Sequence, residues 1–346
     1  MEEVRPTIKG RLVVDSPVDR AWLLLLMRNF RDAVEYAHSL MRKGCPDGWI
    51  VKLLASRILN NAHYSYSALM RARLYGNQPY LKLKKPQLFS VGKGNEKGNR
   101  NIRFVSTDTV KIKIPSSTGR HRWMVAKVRF GRKYLGIVKE LVDAQFPYGA
   151  GIYLKKNGRM ELHVHVPLEL YVKHLNKTSR HYNPRGHVAS FDLNSDRICM
   201  VIVSREGNLL DVKTEHFPEV TSHGFPKDKA KDIRMKALAR LVSYAHHHGV
   251  TDYVAERLSK PKTKTLSKSA NRKITKFALR EYIEHLRVLV PRYSGRLHFV
   301  NPAYTSVDAI PLAKKLGLDT HTTSAYLLAF RYLEVLGERR RGVGFE

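Results

Sequence analysis

Residues 187–205 read HVASFDLNSDRICMVIVSR, and this stretch decides the fold of the C-terminal half of the chain. It is apolar and rich in β-branched residues, which predicts a buried strand from about Val188 to Val203. Asp192 lies inside that strand, whereas Asp196 falls in the segment LNSD, which is typical of a turn. A buried carboxylate costs stability unless an arginine, a run of backbone N–H groups or a metal ion meets it. Asp192 is therefore the first candidate functional residue.

The elements that follow this strand indicate the fold class. A turn at 206–208 returns the chain through LLDVKTEHF, and a helix is predicted over about 227–248. VTDYVAERL reads as a short buried strand that ends at Glu256; more helix, the strand RLHFVNP and a closing helix from about Thr320 complete the series. Hairpin, helix, strand, helix, strand, helix is the order of an RNase H-like fold. The predicted class is therefore α+β.

The N-terminal half is predicted to be a β-rich domain with a helical insert. KGRLVVD (9–15) reads as a strand, and a long helix follows with Ser16 as its N-cap; a second helix is predicted over about 49–73. TVKIKIP alternates, GIYLKKNGRMELHVHVPLEL is a hairpin that turns at Asn157–Gly158, and SVGKGNEKGNRN (90–101) is expected to be a flexible basic loop. The pattern predicts a β-barrel domain at 1–15 and 79–173, a helical insert at 16–78, a linker at 174–186 and a last domain at 187–346.

The charge of the chain indicates an anionic partner. Lys and Arg total 62 against 30 Asp and Glu, a net charge of +32. Such an excess repels itself in the folded state, and nucleic acid is the partner that best explains it. A merely soluble basic protein is the alternative; an acidic membrane surface fits less well, because no polybasic end stands out. Without a signal peptide or a long apolar stretch, we expect a cytoplasmic, nucleoid-associated protein with no membrane partner.

Two groups of residues are candidates for nucleic-acid binding. RLSKPKTKTLSKSANRKITKF (257–277) has eight Lys or Arg and no acidic residue, so it either forms a solvated loop or holds a negatively charged strand. Tyrosines and arginines mixed in the second helix suit base stacking and phosphate contact, although ordinary packing explains the tyrosines equally well. The candidates are Lys260, Lys262, Lys264, Lys268, Arg272 and Lys273, together with Tyr64, Tyr66, Arg71 and Arg73.

Three positions can converge on one point of the predicted sheet. They are Asp192, Glu256 at the end of its strand, and the segment Asp319–His321 at the start of the last helix. Converging carboxylates repel each other, and a pair of divalent cations relieves this repulsion while activating a water for phosphodiester hydrolysis. Hard oxygen ligands favour Mg²⁺, with Mn²⁺ as its substitute. Taken singly, Glu256 can also pair with Arg257 or Lys260, and Asp319 can simply cap the helix.

The blocks ASFDLNSD, DYVAERLS, VNPAYTS and LGLDTHTTSAYLLAFRYLEVLG, in this order, resemble the TnpB-type proteins of insertion sequences, which are relatives of the type V CRISPR effectors. The resemblance covers nearly the whole chain, but its sharp motifs lie after residue 187. It implies an RNA-guided DNA endonuclease with a RuvC nuclease domain, preceded by a wedge-like β-barrel with a helical recognition insert. The implied partners are a guide RNA and target DNA that carries a short flanking motif.

The chain departs from this family at two places. The four-cysteine zinc ribbon that often follows the YTS block is absent, and two cysteines could not form one. The usual third block, D-x-N-A-A, aligns its small pair on Ser324 and Ala325, which places His321 where an aspartate is expected. The resemblance thus implies Asp192 and Glu256 as metal-binding carboxylates and His321 as third ligand or proton handler, with Asp319 as its substitute.

Two rival functions remain open. The atypical third block also fits a nuclease-inactive, RNA-guided DNA-binding repressor of the same fold. A guide-free nuclease that recognises branched DNA is the second rival. A transposase is disfavoured, because no second catalytic set is evident in the sequence.

Overall fold

The computed structural model describes residues 4–76, 78–116, 121–143, 146–257, 279–301 and 305–342. The chain divides into two compact units, Met1–His174 and Leu175–Glu346. Within the described ranges, no helix is long and apolar enough to cross a membrane. The PAYTS block and the basic segment after Glu256 fall largely outside these ranges.

The first unit contains seven strands and five helices among its described residues. The strands are β1 (Thr7–Val13), β2 (Gln87–Ser90), β3 (Ile102–Ser106), β4 (Thr109–Ile114), β5 (Arg122–Phe130), β6 (Gly149–Leu154) and β7 (Met160–His165). The helices are α1 (Pro17–Arg42), α2 (Asp47–Leu54), α3 (Ala62–Arg73), α4 (Leu135–Asp143) and α5 (Leu168–His174).

The seven strands form one antiparallel sheet in the order β2-β6-β7-β1-β5-β4-β3. The sheet curls into a half-barrel, with β2 and β3 as its edges among the described strands. β4 alternates as predicted: Val110, Ile112 and Ile114 are buried. The hairpin of β6 and β7 turns at Gly158, whose φ is +74°. The sequence pattern thus places the core on one face of the sheet.

The predicted helix over 49–73 is wrong in one respect, because it is broken. A π-helical segment, Ala55–Leu59, follows α2, and Asn60 then adopts a left-handed conformation with φ of +47°. Asn61 begins α3, since its side chain accepts a hydrogen bond from the Tyr64 backbone N–H at 2.9 Å. Two consecutive asparagines therefore end one helix and cap the next.

The loop at 90–101 is held in place by Asn99, although the sequence predicted flexibility. Asn99 is fully buried, and its side chain makes six hydrogen bonds of 2.8–3.2 Å. Their partners are the Ser90 hydroxyl, the carbonyls of Ser90, Val91 and Tyr148, and the N–H groups of Asn101 and Ile102. A single amide side chain thus satisfies the backbone of a Gly-rich segment.

The second unit contains five strands and, among its described residues, four helices. The strands are β8 (His187–Leu193), β9 (Arg197–Val203), β10 (Leu209–His216), β11 (Val250–Glu256) and β12 (Arg296–Val300). The helices are α6 (Lys227–His247), α7 (Leu279–Leu289), α8 (Thr305–Leu316) and α9 (Thr320–Gly342).

The five strands pair in the order β10-β9-β8-β11-β12. β8 is antiparallel to β9 and parallel to β11, which is parallel to β12. The single strand predicted over 188–203 is therefore two strands, and Asp196 lies in the turn between them, as the segment LNSD indicated. The Asn194 N–H donates to the Arg197 carbonyl at 3.1 Å across this turn.

Helices cover both faces of this sheet. Ala189, Phe191 and Leu193 of β8 pack in the core that also contains residues of α6 and α7. On the opposite face Val188 packs with Ala325 and other residues of α9. Because side chains alternate along a strand, Ser190 and Asp192 share the face of Val188 and point toward α9.

The predicted linker packs within the second unit. Lys177 donates its backbone N–H to the Arg292 carbonyl at 2.6 Å. The ring of Tyr182 stacks on His246 with centroids 3.9 Å apart, and its hydroxyl donates to the Val250 carbonyl. Residues 175–186 are thus anchored to the second unit at several points, although most of them are exposed.

Replacing Asn99 tests the account of the loop. Asn99→Ala leaves buried carbonyl and N–H groups without partners, and we expect it to lower the free energy of unfolding by about 2–4 kcal/mol. Urea denaturation measures the change, and Asn176→Ala, at an exposed asparagine, is the control. Equal stability of the two variants would contradict a structural role for Asn99.

Candidate active site

The site begins with two carboxylates on neighbouring parallel strands. β8 and β11 pair with Ser190 opposite Val254 and Phe191 opposite Ala255. Continuing this register places Glu256 beside Asp192, at the carboxyl ends of both strands. Both are buried, at 8% and 7% exposed. Paired residues of parallel strands point to the same face, so the two carboxylates share the face covered by α9.

Asp192 is met by an amide and an imidazole. Asn194 donates its side-chain N–H to Asp192 Oδ2 at 2.7 Å. His321 Nδ1 lies 2.9 Å from the same oxygen, and with its proton on Nδ1 the ring donates to the carboxylate. Among the described residues, the hydrogen-bond partners of Asp192 are thus neither an arginine nor a run of backbone N–H groups. Sequence reasoning missed Asn194, although its place two residues after Asp192, in the turn, was a usable signal.

Glu256 is the less satisfied of the two carboxylates. Burial, together with the negative charge of Asp192, raises the pKa of Glu256 to about 7. Within the described part of the chain, its side chain has no hydrogen-bond or ion-pair partner, and it does not pair with Arg257. Lys260, the other candidate partner, lies outside the described residues. The glutamate is thus poised between its neutral and charged forms near neutral pH.

His321 lies in the first turn of α9, above the ends of the strands. Its hydrogen bond with Asp192 raises the pKa of the imidazole, and burial opposes this rise only in part. The side chain is 43% exposed, so a proton can exchange between the ring and solvent. His321 is therefore the accessible acid–base group of the site.

Asp319 is a helix cap. Its Oδ1 accepts hydrogen bonds from the backbone N–H groups of His321, at 2.9 Å, and Thr322, at 3.2 Å. The Thr322 hydroxyl donates to its other oxygen. Burial alone would raise the pKa of Asp319, but these hydrogen bonds outweigh it and lower that pKa. These contacts are those of a helix cap, the alternative role considered for Asp319. Because they engage both of its carboxylate oxygens, Asp319 is less suited to replace His321 at the site.

Cys199 and Ser190 complete the surroundings of Asp192. Cys199 pairs with Asp192 across β8 and β9, and burial raises the pKa of its thiol to about 11. The Ser190 hydroxyl is buried without a hydrogen-bond partner among the described residues. Both groups are neutral, so neither offsets the charge of the carboxylates.

The described residues contain no group of three or more His, Cys, Asp or Glu side chains arranged to hold a metal ion. The donor set nevertheless fits one hard cation, because two adjacent carboxylates supply oxygens and a cation relieves their repulsion. His321 Nδ1 is engaged with Asp192, so Nε2 is the ring nitrogen left to ligate a metal or to handle a proton.

The four nucleic-acid-binding candidates from the predicted helix over 49–73 all lie in α3, in the first unit, and differ in their surroundings. Tyr64 is fully buried, and its hydroxyl donates to the Lys113 carbonyl. Because its ring packs in the core, it cannot stack on a base. Tyr66 is 44% exposed. Arg71 donates to the Tyr153 hydroxyl at 2.6 Å, and Arg73 pairs with Asp47.

The remaining predicted nucleic-acid contacts lie outside the described residues. They are Lys260, Lys262, Lys264, Lys268, Arg272 and Lys273. Pro302, Ala303 and Tyr304 of the PAYTS block also lie outside.

The raised pKa of Glu256 has a consequence for stability. A carboxyl group whose pKa is higher in the folded state stabilises the fold at low pH, and that contribution is lost as the pH rises through about 7. Glu256→Gln removes this loss. As the pH rises from about 5 to about 8, we therefore expect the free energy of unfolding of the variant to increase relative to that of wild type by on the order of 2–3 kcal/mol.

Urea denaturation in EDTA at both pH values measures this gain. His321 contributes with the same sign, so part of the pH dependence remains in the variant. Glu219→Gln, at an exposed glutamate, is the matched control. Parallel stability curves for wild type and Glu256→Gln would contradict the described environment of Glu256.

Comparisons with solved structures find nucleases at low similarity. A Thermus thermophilus RuvC in complex with a Holliday junction matches with a TM-score of 0.28 and 15% identity, over 41% of this chain and 90% of that one. A CRISPR-Cas12f ternary complex matches with a TM-score of 0.35 and 10% identity, over 90% and 82% of the two chains. Overlaps this loose carry no conclusion about the activity of this chain.

Comparisons of sequence are closer. "Uncharacterized protein SSO2105" of Saccharolobus solfataricus is 34% identical over 281 residues, which cover 78% of this chain and 74% of the relative. An Aeropyrum pernix protein is 29% identical over 254 residues, which cover 68% of each chain. The model of the SSO2105 N-terminal domain matches residues 5–176. This chain therefore belongs to the SSO2105 family.

Proposed function

We propose that the protein is a TnpB-type RNA-guided DNA endonuclease whose second unit is an RNase H-like (RuvC) domain that hydrolyses phosphodiesters. The single observation that carries the proposal is the adjacency of Asp192 and Glu256 at the ends of two parallel strands. The strand order supports it: counted from β8, the sheet runs third, second, first, fourth, fifth, with only the second strand antiparallel to the first, as in RNase H-like folds.

The charge and the sequence blocks support the choice of substrate. A net charge of +32 favours a polyanion, and the blocks that resemble TnpB proteins favour DNA selected by a guide RNA. We propose the first unit as the wedge-like domain with its helical insert, and 187–346 as the nuclease domain.

Asp192 and Glu256 would hold a divalent cation, Mg²⁺ or Mn²⁺. Such a cation activates a water and neutralises charge that develops on the cleaved phosphate. Asn194 fixes the orientation of the Asp192 carboxylate, since it donates to Oδ2. His321, partly exposed and hydrogen-bonded to Asp192, would give or take a proton at Nε2. The amino end of α9 adds a positive partial charge beside an anionic substrate.

A second candidate function, the nuclease-inactive RNA-guided DNA-binding repressor, is favoured by one observation. Only two carboxylates, those of Asp192 and Glu256, are adjacent at the site among the described residues, and His321 stands where TnpB-type proteins are expected to have a third acid. A protein that kept the fold and lost cleavage would bind RNA and target DNA without cutting.

Charge-neutral, size-matched substitutions test the nuclease. RNA that copurifies with the protein is sequenced, and a plasmid carrying the matching target is incubated with Mg²⁺ or Mn²⁺. Asp192→Asn and Glu256→Gln each remove one anionic ligand, so we expect cleavage to fall about 100-fold or more while RNA binding stays within about two-fold of wild type.

Asp232→Asn, at an exposed carboxylate of α6, makes the same chemical change as Asp192→Asn and should cut like wild type. Unchanged cleavage in both site variants would refute the assignment of Asp192 and Glu256. Tight binding of guide and target without cleavage by wild type would support the repressor. Cleavage of branched DNA without RNA would support the guide-free nuclease.

A further inference from the structure

The outer face of the seven-stranded sheet is cationic. Along β1, Ile8, Gly10 and Leu12 are buried, whereas Lys9 and Arg11 are exposed. The same alternation holds in the two strands on one side of β1. It leaves Lys127 and Arg129 of β5 exposed and Lys111 and Lys113 of β4 half-buried on this face.

These six residues form a diagonal line, here called the cationic track. Arg11 lies opposite Arg129, and Lys127 lies opposite Thr109. Each of the three strands therefore contributes two cations at successive outward positions. From β1 through β5 to β4, these two positions shift progressively along the strand direction, which makes the line diagonal. With neighbouring strands about 4.8 Å apart and outward residues about 7 Å apart, the track is on the order of 30 Å long.

Few carboxylates neutralise the track. Lys127 lies 3.5 Å from Asp108, an exposed pair. The other five cations form no ion pair with a carboxylate in the described ranges. Lys111 and Lys113 each place an ammonium group 5.0 Å from the centroid of the Trp123 ring, which holds them in position.

Positive charge accumulates on and around the track. Burial lowers the pKa of Lys113, and the nearby positive charges of Arg103 and Arg100 lower it further, while the Glu96 carboxylate opposes them.

Arg11 lies directly opposite Arg129 on one side, and like charges at such positions destabilise a sheet. On its other side Arg11 lies opposite Glu161, whose carboxylate is paired with Lys155. An anion that binds across these charges would reduce their mutual repulsion and so stabilise the folded chain.

At β1 the track opens into a basic cavity of about 540 Å³. Besides Lys9 and Arg11, its lining includes the cations Lys85, Lys155, Lys156 and Arg159. Glu161, its one described carboxylate, is paired with Lys155 at 3.1 Å and lies 2.9 Å from His163. The positive surface therefore continues beyond the last cation of the track.

We propose that the cationic track binds the sugar–phosphate backbone of a single polynucleotide strand. The width of the track favours a single polynucleotide strand. Each β-strand contributes only two cations to it, and uncharged residues flank them: Thr7 and Val13 on β1, and Val125 on β5. This fits one line of phosphates, whereas a duplex presents two lines separated by a groove of about 6–12 Å. The proposal shares only its class of partner with the proposed hydrolytic site, since this surface lies in the first unit and that site in the second.

Binding of labelled 12-nucleotide strands to the full chain in EDTA tests this proposal without any cleavage step. The variant Arg11→Gln/Lys111→Gln/Arg129→Gln removes three cations of the track. Because each lost phosphate contact lowers the salt dependence by about 0.7, we expect the slope of log K against log salt to fall by about 2. The affinity should fall about 10-fold or more, equally for RNA and DNA of the same sequence, because the contacts are with phosphates.

The variant Lys227→Gln/Lys229→Gln/Lys236→Gln, on the exposed side of α6, removes the same charge and should change affinity less than about two-fold. Thermal unfolding should show the track variant at least as stable as wild type, because the repulsion between Arg11 and Arg129 is removed. Equal losses for the two triple variants, or loss of duplex binding with single-strand binding retained, would overturn the proposal.

Discussion

Repulsion between Asp192 and Glu256 is the constraint on which the second unit depends. Parallel pairing of β8 with β11 brings the two carboxylates together at the carboxyl ends of the strands. The fold accommodates the pair unequally. Asp192 receives Asn194 and His321, whereas Glu256 stays buried with a pKa raised to about 7. The position of α9 follows from this division, since its first turn supplies the imidazole while Tyr332, three turns later, reaches Asp252 near the start of β11.

Much of this arrangement was predictable from the sequence. The order of elements predicted that Asp192 and Glu256 converge from neighbouring strands below the start of a helix. Asp192 was expected inside a longer strand, whereas the structure places it near the end of β8. Ser16 was recognised as a cap because its signal is local: its hydroxyl accepts the Asp19 N–H at 3.2 Å. Features set by short-range hydrogen bonding and periodicity were therefore accessible without coordinates.

The rest depended on contacts between distant segments. The six bonds of Asn99 were hidden, because polar residues in a Gly- and Lys-rich stretch resemble a flexible loop until their partners are known. The break at Asn60 was missed for a different reason, since its signal, two consecutive asparagines, is local. Tyr64 looked available for stacking, yet it is buried where α3 meets the sheet. The cationic track needed the register of β1, β4 and β5, since no single strand of the three shows more than two outward cations.

The match to the SSO2105 N-terminal domain model and the proposed chemistry lie in different parts of the chain. The SSO2105 N-terminal domain corresponds to the unit with the half-barrel and the track, whereas Asp192, Glu256 and His321 lie in the other unit. The Saccharolobus relative aligns over 281 residues, more than either unit contains, so its similarity extends into both. A strand-binding surface and a hydrolytic site joined in one chain would suit a nuclease that holds a long polynucleotide.

Anomalous diffraction from crystals soaked in Mn²⁺ tests the central claim most directly. The account predicts a peak within about 2.0–2.5 Å of carboxylate oxygens of both Asp192 and Glu256. The same peak should be lost in crystals of Glu256→Gln. Density at neither carboxylate, in crystals where Mn²⁺ reaches other acidic groups, would contradict the idea that a shared cation offsets their repulsion.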